Sequence, residues 1–213
     1  MAFGLRSREP DTLVLAEAYR RLGRTGMIAG SSGNVSMRTA DGMLISPTGT
    51  TAALITDDSI VSMPLDSPAP RASSEWALHA ALYRTRPELH AIVHTHSDAC
   101  TALACLNEAL PAFHYGVLAF GGAEVRCAPY TTFGTPELAE LAATAMEGRT
   151  ACLLANHGMI VAAATMEAAV DAALDLERLC RQYLLARAAG TPRLLTAEEV
   201  AGAAERFKAY QAV

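Results

Sequence analysis

Strand-like apolar runs alternate with helical segments along this chain, and that alternation points to an α/β or α+β layered domain. Ala151 to Ala155 and Met159 to Ala163 are wholly apolar, strand-length runs, and Ala91 to Thr95 reads as a further buried strand that ends on His94-Thr95. Shorter strands are expected at Asn34 to Arg38 and Gly42 to Ser46, around a turn at Ala40-Asp41-Gly42, and at Ile60 to Met63. Asp11 to Arg24 repeats Leu13, Ala16, Tyr19 and Leu22 at helical spacing. Ser74 to Arg86 reads as a helix that opens on Ser-Ser-Glu and stops before Pro87, because proline disfavours helical backbone in the residue ahead of it. Ser97 to Leu106 is a further helix, opened by Ser97 and Asp98. Thr135-Pro136-Glu137 starts another, with a threonine cap, proline in the first turn and an acid near the positive end of the dipole. Thr165 to Ala189 is a long helix closed by Gly190, and Thr196-Ala-Glu-Glu199 is a capping box for the last one.

Composition narrows the function classes. The 213 residues, 51% hydrophobic, suit one compact domain without a linker or repeat. A net charge of −5 argues against a general nucleic-acid binder, which needs a basic surface to neutralise phosphates. Met1 to Pro10 has no apolar core of signal-peptide length. The longest run free of acidic and basic residues, Thr150 to Met166, is broken by Asn156-His157-Gly158 and is shorter than the roughly 20 apolar residues of a membrane helix. Cys100, Cys105, Cys127, Cys152 and Cys180 form no C-x-x-C pair and sit among apolar neighbours, so reduced, buried thiols in a cytoplasmic protein are expected.

Four groups of residues carry chemistry. His94 and His96 are two apart at the end of a strand-like run, so their imidazoles share a face and can chelate one metal ion. His157, in Asn156-His157-Gly158, stands at a tight corner between two apolar strands, where glycine would supply an unusual φ. Alone it reads as a core histidine; with His94 and His96 it makes the three-ligand set of a catalytic zinc. Glu75, at the start of a helix, either answers the helix dipole or, beside a metal, serves as a general acid/base. His79, four residues on, reads as its helical pairing partner. The turns Gly30-Ser31-Ser32-Gly33-Asn34 and Ser46-Pro47-Thr48-Gly49-Thr50, with Ser73-Ser74, offer backbone N–H groups and hydroxyls to a phosphate. Lysine use excludes one mechanism. Of 17 basic residues only Lys208 is lysine, and it lies in a charged segment near the C-terminus, so a Schiff-base or pyridoxal phosphate lysine is not expected, and for carbonyl chemistry a metal would be the electron sink.

Gly33-Asn-Val-Ser36, Ser46-Pro-Thr-Gly49, Ser73-Ser-Glu-Trp76, His94-Thr-His96 and Asn156-His-Gly158 together resemble the zinc-dependent class II aldolase/adducin family. Leu110-Pro-Ala-Phe-His-Tyr115, the run from Cys127 to Thr135 and Phe207-Lys-Ala-Tyr210 extend the resemblance over nearly the whole chain. It implies one domain spanning residues 1–213, folded as a three-layer α/β/α sandwich around a largely antiparallel sheet. It also implies one Zn²⁺ per subunit on His94, His96 and His157, with Glu75 as acid/base and as a fourth ligand before substrate arrives. Asn34, Thr48, Gly49, Ser73 and Ser74 would hold the substrate phosphate. Tyr115, Phe133 and Tyr210 would complete the site from a neighbouring subunit of a cyclic homotetramer. The implied reaction is retro-aldol cleavage of a ketose 1-phosphate of the L-fuculose-1-phosphate type to dihydroxyacetone phosphate and an aldehyde such as L-lactaldehyde. Tyr115 would take the C4 hydroxyl proton and Glu75 would protonate the carbon. Relatives acting on 5-deoxyribulose 1-phosphate or methylthioribulose 1-phosphate share these residues, as does a dehydratase on a similar zinc site. The family's epimerases carry Asp in place of Glu75 and lack a tyrosine at Tyr115. A non-catalytic adducin-like module would have no reason to keep the three histidines.

Overall fold

Side chains along a strand leave alternately for its two faces, and here both faces are buried. Val93, Leu153 and Val161 join one apolar core, while Ile92, Cys152, Leu154 and Ile160 join a second on the other side. The structure is a computed structural model that describes residues 10–211, and the side chains of 208–211 lie outside that description.

The sheet contains β1 (Asn34–Arg38), β2 (Met43–Ile45), β3 (Val61–Met63), β4 (Ala91–Thr95), β7 (Cys127–Ala128), β8 (Ala151–Leu154) and β9 (Gly158–Ala163). Its order is β3-β2-β1-β4-β9-β8-β7, and every pairing is antiparallel except β7 with β8. A separate ribbon pairs β5 (Leu110–Pro111) with β6 (Glu124–Val125). The first core is closed by α1 (Asp11–Arg24), α3 (Asp98–Ala104) and α5 (Met166–Ala189), through residues such as Leu15, Leu103 and Leu176. The second is closed by α2 (Trp76–Thr85) and α4 (Pro136–Ala145), through Leu78, Leu82 and Leu138. This is the three-layer arrangement expected from the sequence. The last helix, α6 (Ala197–Gln211), lies against the 3₁₀ turn Tyr115–Phe120. Among the described residues no helix is long and apolar enough to cross a membrane.

Helix ends follow local chemistry. Thr135 and Thr165 accept from Leu138 N and Ala168 N, and Thr196 and Glu199 form the expected capping box. Three expectations change. The helix read from Ser74 starts at Trp76, because Ser73 Oγ accepts from Glu75 N at 3.3 Å and holds the approach as a turn. Ser97 makes no cap bond to α3; the Glu177 carboxylate of α5 accepts from Ala99 N and Cys100 N instead, at 2.9 Å each. Cys100, Cys152 and Cys180 are buried as expected, but Cys127 is half-buried and Cys105 is exposed, and all five are free.

Candidate active site

The site forms where the central strands end. On β4, His94 shares the face of Ile92, towards α2, and His96 follows one residue beyond the strand. β1 runs alongside and sets Asn34 opposite His94. β9 pairs Met159 with Thr95, which returns the β8–β9 corner, and His157 with it, to the same end. The left-handed backbone at that corner belongs to Asn156, at φ 54°. Gly158 is required for a different reason from the one expected. A Cβ there would lie 2.4 Å from Thr95 O and 3.0 Å from His96 Cδ2. Gly33, at φ 81°, likewise brings its backbone against His94 O.

Four side chains converge. Glu75 Oε2 lies 2.8 Å from His94 Nε2, Glu75 Oε1 lies 3.3 Å from His157 Nε2, and His94 Nε2 lies 3.0 Å from His96 Nε2. The three rings stand edge to face, with centroids 4.8–4.9 Å apart. One ligand atom from each of the four residues falls within 4.8 Å of all the others. His94 Nδ1 lies 2.9 Å from Met159 O and donates to it, which leaves the Nε2 lone pair facing the centre.

Electrostatics separate the members of this cluster. Burial works against the Glu75 charge, but His94 beside it, assisted by His157 and Asn34, holds the carboxyl well below the usual carboxylate range. Burial and then the charge of His94 lower His157 to about 4. The same causes, with His157 added, lower His96 to about 4. At neutral pH the site therefore gathers the Glu75 carboxylate and the neutral imidazoles of His96 and His157 beside His94. Glu75 Oε1 is buried with no hydrogen-bond partner. Converging lone pairs and an orphaned carboxylate oxygen are what a divalent cation satisfies, and the three-nitrogen, one-oxygen donor set suits zinc.

Beside the cluster opens a cavity of about 250 Å³, and the expected phosphate residues Asn34, Thr48, Gly49, Ser73 and Ser74 all line it. Ser31 and Ser32, from the first of the turns read as phosphate donors, line it too. Phe133 reaches it from its own chain, which corrects the expectation that a neighbouring subunit supplies it. Tyr115 does not reach it. It is 58% exposed and packs by Phe207, with ring centroids 6.2 Å apart. Tyr210 lies on α6, and its side chain falls outside the described residues. His79 does not pair with Glu75. It bonds Asn34 and Ser36 behind the site, contacts that the i, i+4 spacing could not reveal.

Residues 14–184 match the class II aldolase and adducin N-terminal domain. The chain belongs to the class II aldolase and adducin family. Among its relatives, the 5-methylthioribulose-1-phosphate/5-deoxyribulose-1-phosphate aldolase of Rhodospirillum rubrum is 43% identical over 199 residues, covering 92% of this chain and 90% of that protein. L-fuculose phosphate aldolase of Escherichia coli K12 is 42% identical over 191 residues, covering 88% and 89%. A solved structure of L-fuculose 1-phosphate aldolase superposes with a TM-score of 0.88 at 38% identity, covering 95% of this chain and 98% of that one. The chain is a class II aldolase, a lyase of a metal-dependent family. Glu75, His94, His96 and His157 are the cluster able to hold its metal.

Proposed function

We propose that this class II aldolase cleaves a ketose 1-phosphate reversibly to dihydroxyacetone phosphate and an aldehyde, with Zn²⁺ held by His94, His96, His157 and Glu75. The observation that carries this reading is one cavity in which a hydroxyl- and glycine-lined cradle adjoins the metal cluster. The Thr48-Gly49 turn and the Ser73-Ser74 approach to α2, with Asn34, hold the phosphate through N–H and O–H donors, so no lysine is needed. When bound, the cation supplies Lewis acidity towards the substrate's carbonyl and hydroxyl oxygens. Glu75 exchanges the proton at the substrate carbon next to the carbonyl.

Tyr115, remote from the cavity of its own chain, takes the C4 hydroxyl proton in a neighbouring copy, and Tyr210 joins it there. The active assembly is then a homotetramer with sites between subunits. The free cysteines fit a cytoplasmic setting, and residues 1–213 act as one domain.

L-Fuculose 1-phosphate, with L-lactaldehyde as product, is the first substrate to test. The second is 5-methylthioribulose 1-phosphate or 5-deoxyribulose 1-phosphate, for both of which the Rhodospirillum rubrum relative is named. The experiment is metal analysis of the purified protein, followed by an assay of dihydroxyacetone phosphate release over these ketose 1-phosphates. About one zinc per chain and release from one of them are expected. Substrate turnover without dihydroxyacetone phosphate would identify a dehydratase or epimerase instead. Activity that survives His157→Ala would sink the reading.

A further inference from the structure

Behind Glu75, buried polar side chains from β1 and α2 form an unbroken hydrogen-bonded chain. Asn34 Nδ2 lies 3.4 Å from Glu75 Oε2, and Asn34 Oδ1 lies 2.5 Å from His79 Nε2. His79 Nδ1 lies 2.7 Å from Ser36 Oγ, which lies 2.9 Å from Tyr83 OH. Asn34, Ser36, His79 and Tyr83 are all buried. The Arg38 guanidinium covers the far end, 4.7 Å over the Tyr83 ring.

The direction of every bond in this chain follows from its first member. An ionised carboxylate only accepts, so Asn34 must turn its NH₂ group to Glu75 and its carbonyl oxygen to His79. His79 must then carry its proton on Nε2 and donate to Asn34 Oδ1. Its bare Nδ1 accepts from Ser36, and Ser36 accepts from Tyr83. Each donor points towards Glu75, so successive bonds polarise one another in the same sense. An amide has nearly the same shape in either orientation, so only its partners choose between them. With the His79 proton on Nδ1, its Nε2 lone pair would face Asn34 Oδ1. The amide would then turn and set that oxygen against the Glu75 carboxylate.

We propose that His79, as the Nε2–H tautomer, is a positioning residue of the aldolase: it locks the Asn34 amide and thereby fixes Glu75 against the metal cluster. The aldolase part of this inference rests on the function proposed above. Ser36 and Tyr83 hold the tautomer, and the four residues act as one device.

The test is a double-mutant cycle of His79→Leu and Asn34→Ala, with His79→Gln as the variant that keeps an N–H donor. The readouts are kcat and KM on the cleaved ketose 1-phosphate, and Zn²⁺ affinity by competition with a chromophoric chelator. His79→Leu is expected to lower kcat and Zn²⁺ affinity by about 10- to 100-fold each, the size of effect typical for a residue that orients a metal ligand. His79→Gln should restore most of both losses. In the Asn34→Ala background, His79→Leu should cost less than about threefold more, because its effect passes through the missing amide. Additive losses, or a His79→Gln variant as impaired as His79→Leu, would overturn the proposal. Should the leucine variant not fold, ¹⁵N NMR of the imidazoles in the wild-type protein decides the point. A protonated Nε2 with a bare Nδ1 on His79 supports it, and the opposite tautomer overturns it. Should no ketose 1-phosphate be cleaved, the functional reading fails separately, while the tautomer and the Zn²⁺-affinity cycle still test the lock.

Discussion

Glu75 Oε2 lies 2.8 Å from His94 Nε2, so the residue capping α2 meets the next-to-last residue of β4. The contact joins the helical layer to the sheet at the floor of the cavity. It also brings a carboxylate to the one place where three imidazoles crowd together. The carboxylate offsets whatever positive charge the cluster takes up, whether from protons or from a cation.

Metal should stabilise the fold as well as support the reaction. A ligand bound only by the native state stabilises it by about 2.7 kcal/mol at a hundred times its Kd. Treatment with a strong chelator is therefore expected to abolish activity and lower the melting temperature, and added Zn²⁺ should restore both. Calorimetry of the stripped and reloaded protein checks this. An unchanged melting temperature after complete metal removal would count against the four-residue site.

Glu75→Gln keeps the side chain's shape and removes its charge and its proton-accepting power. Loss of a positioned acid/base is expected to lower kcat by about 10²- to 10⁴-fold. The variant should retain its fold, because the amide still has Asn34 and the histidines as neighbours. Steady-state kinetics beside circular dichroism separate the two effects.

Gly158→Ala would set a methyl group 2.4 Å from Thr95 O, between β4 and the β8–β9 corner. Overpacking of this kind costs about 1–3 kcal/mol. The variant should unfold at lower urea and bind Zn²⁺ more weakly, since the same methyl presses on His96. Wild-type stability in the alanine variant would show that the strands can part at no cost.

Tyr115 is 58% exposed, so Tyr115→Phe should leave stability within about 0.5 kcal/mol. Activity should nevertheless fall by about a hundredfold or more if its hydroxyl moves the C4 proton. Co-expressing this variant with His157→Ala is the decisive measurement. Mixed assemblies that regain activity mean that Tyr115 serves a neighbouring chain. No recovery would return the tyrosine to its own chain or remove it from the reaction.

Burial, and next the charge of His94, lower His79 from its ordinary 6.5 to about 3. The folded protein keeps this ring neutral, whereas the unfolded chain takes up a proton below about pH 6.5. The stability linked to His79 is thus fully present above pH 6.5 and is lost as pH falls towards 3. The loss amounts to roughly 3 kcal/mol by pH 4.5. The urea midpoint should fall further between pH 7.5 and 4.5 for the wild type than for His79→Gln. Equal falls would contradict the assignment.

Much of this was legible along the chain because the signals are local. Periodicity and caps within a few residues placed α1, the long α5 and the strand at β1. Alternation put His94 and His96 on one face, and glycine turns marked the cradle. The two-residue strands β5, β6 and β7 are too short to carry a period, and so they emerged only in the structure.

The sequence by itself determined the alternation of strands and helices, the pairing of His94 with His96 on one face and the near absence of lysine, since these depend on residue type and on spacing over one or two turns. Tertiary structure alone decided how distant segments meet. It showed that Phe133 enters its own chain's cavity while Tyr115 stays outside it. It showed that Glu177 caps a helix 78 residues away. It showed that His79 is hydrogen-bonded to Asn34, which in turn is bonded to Glu75. Such contacts depend on how two layers slide and seat against a twisted sheet, a geometry set by the packing of both cores together and not recorded in any short stretch of residues.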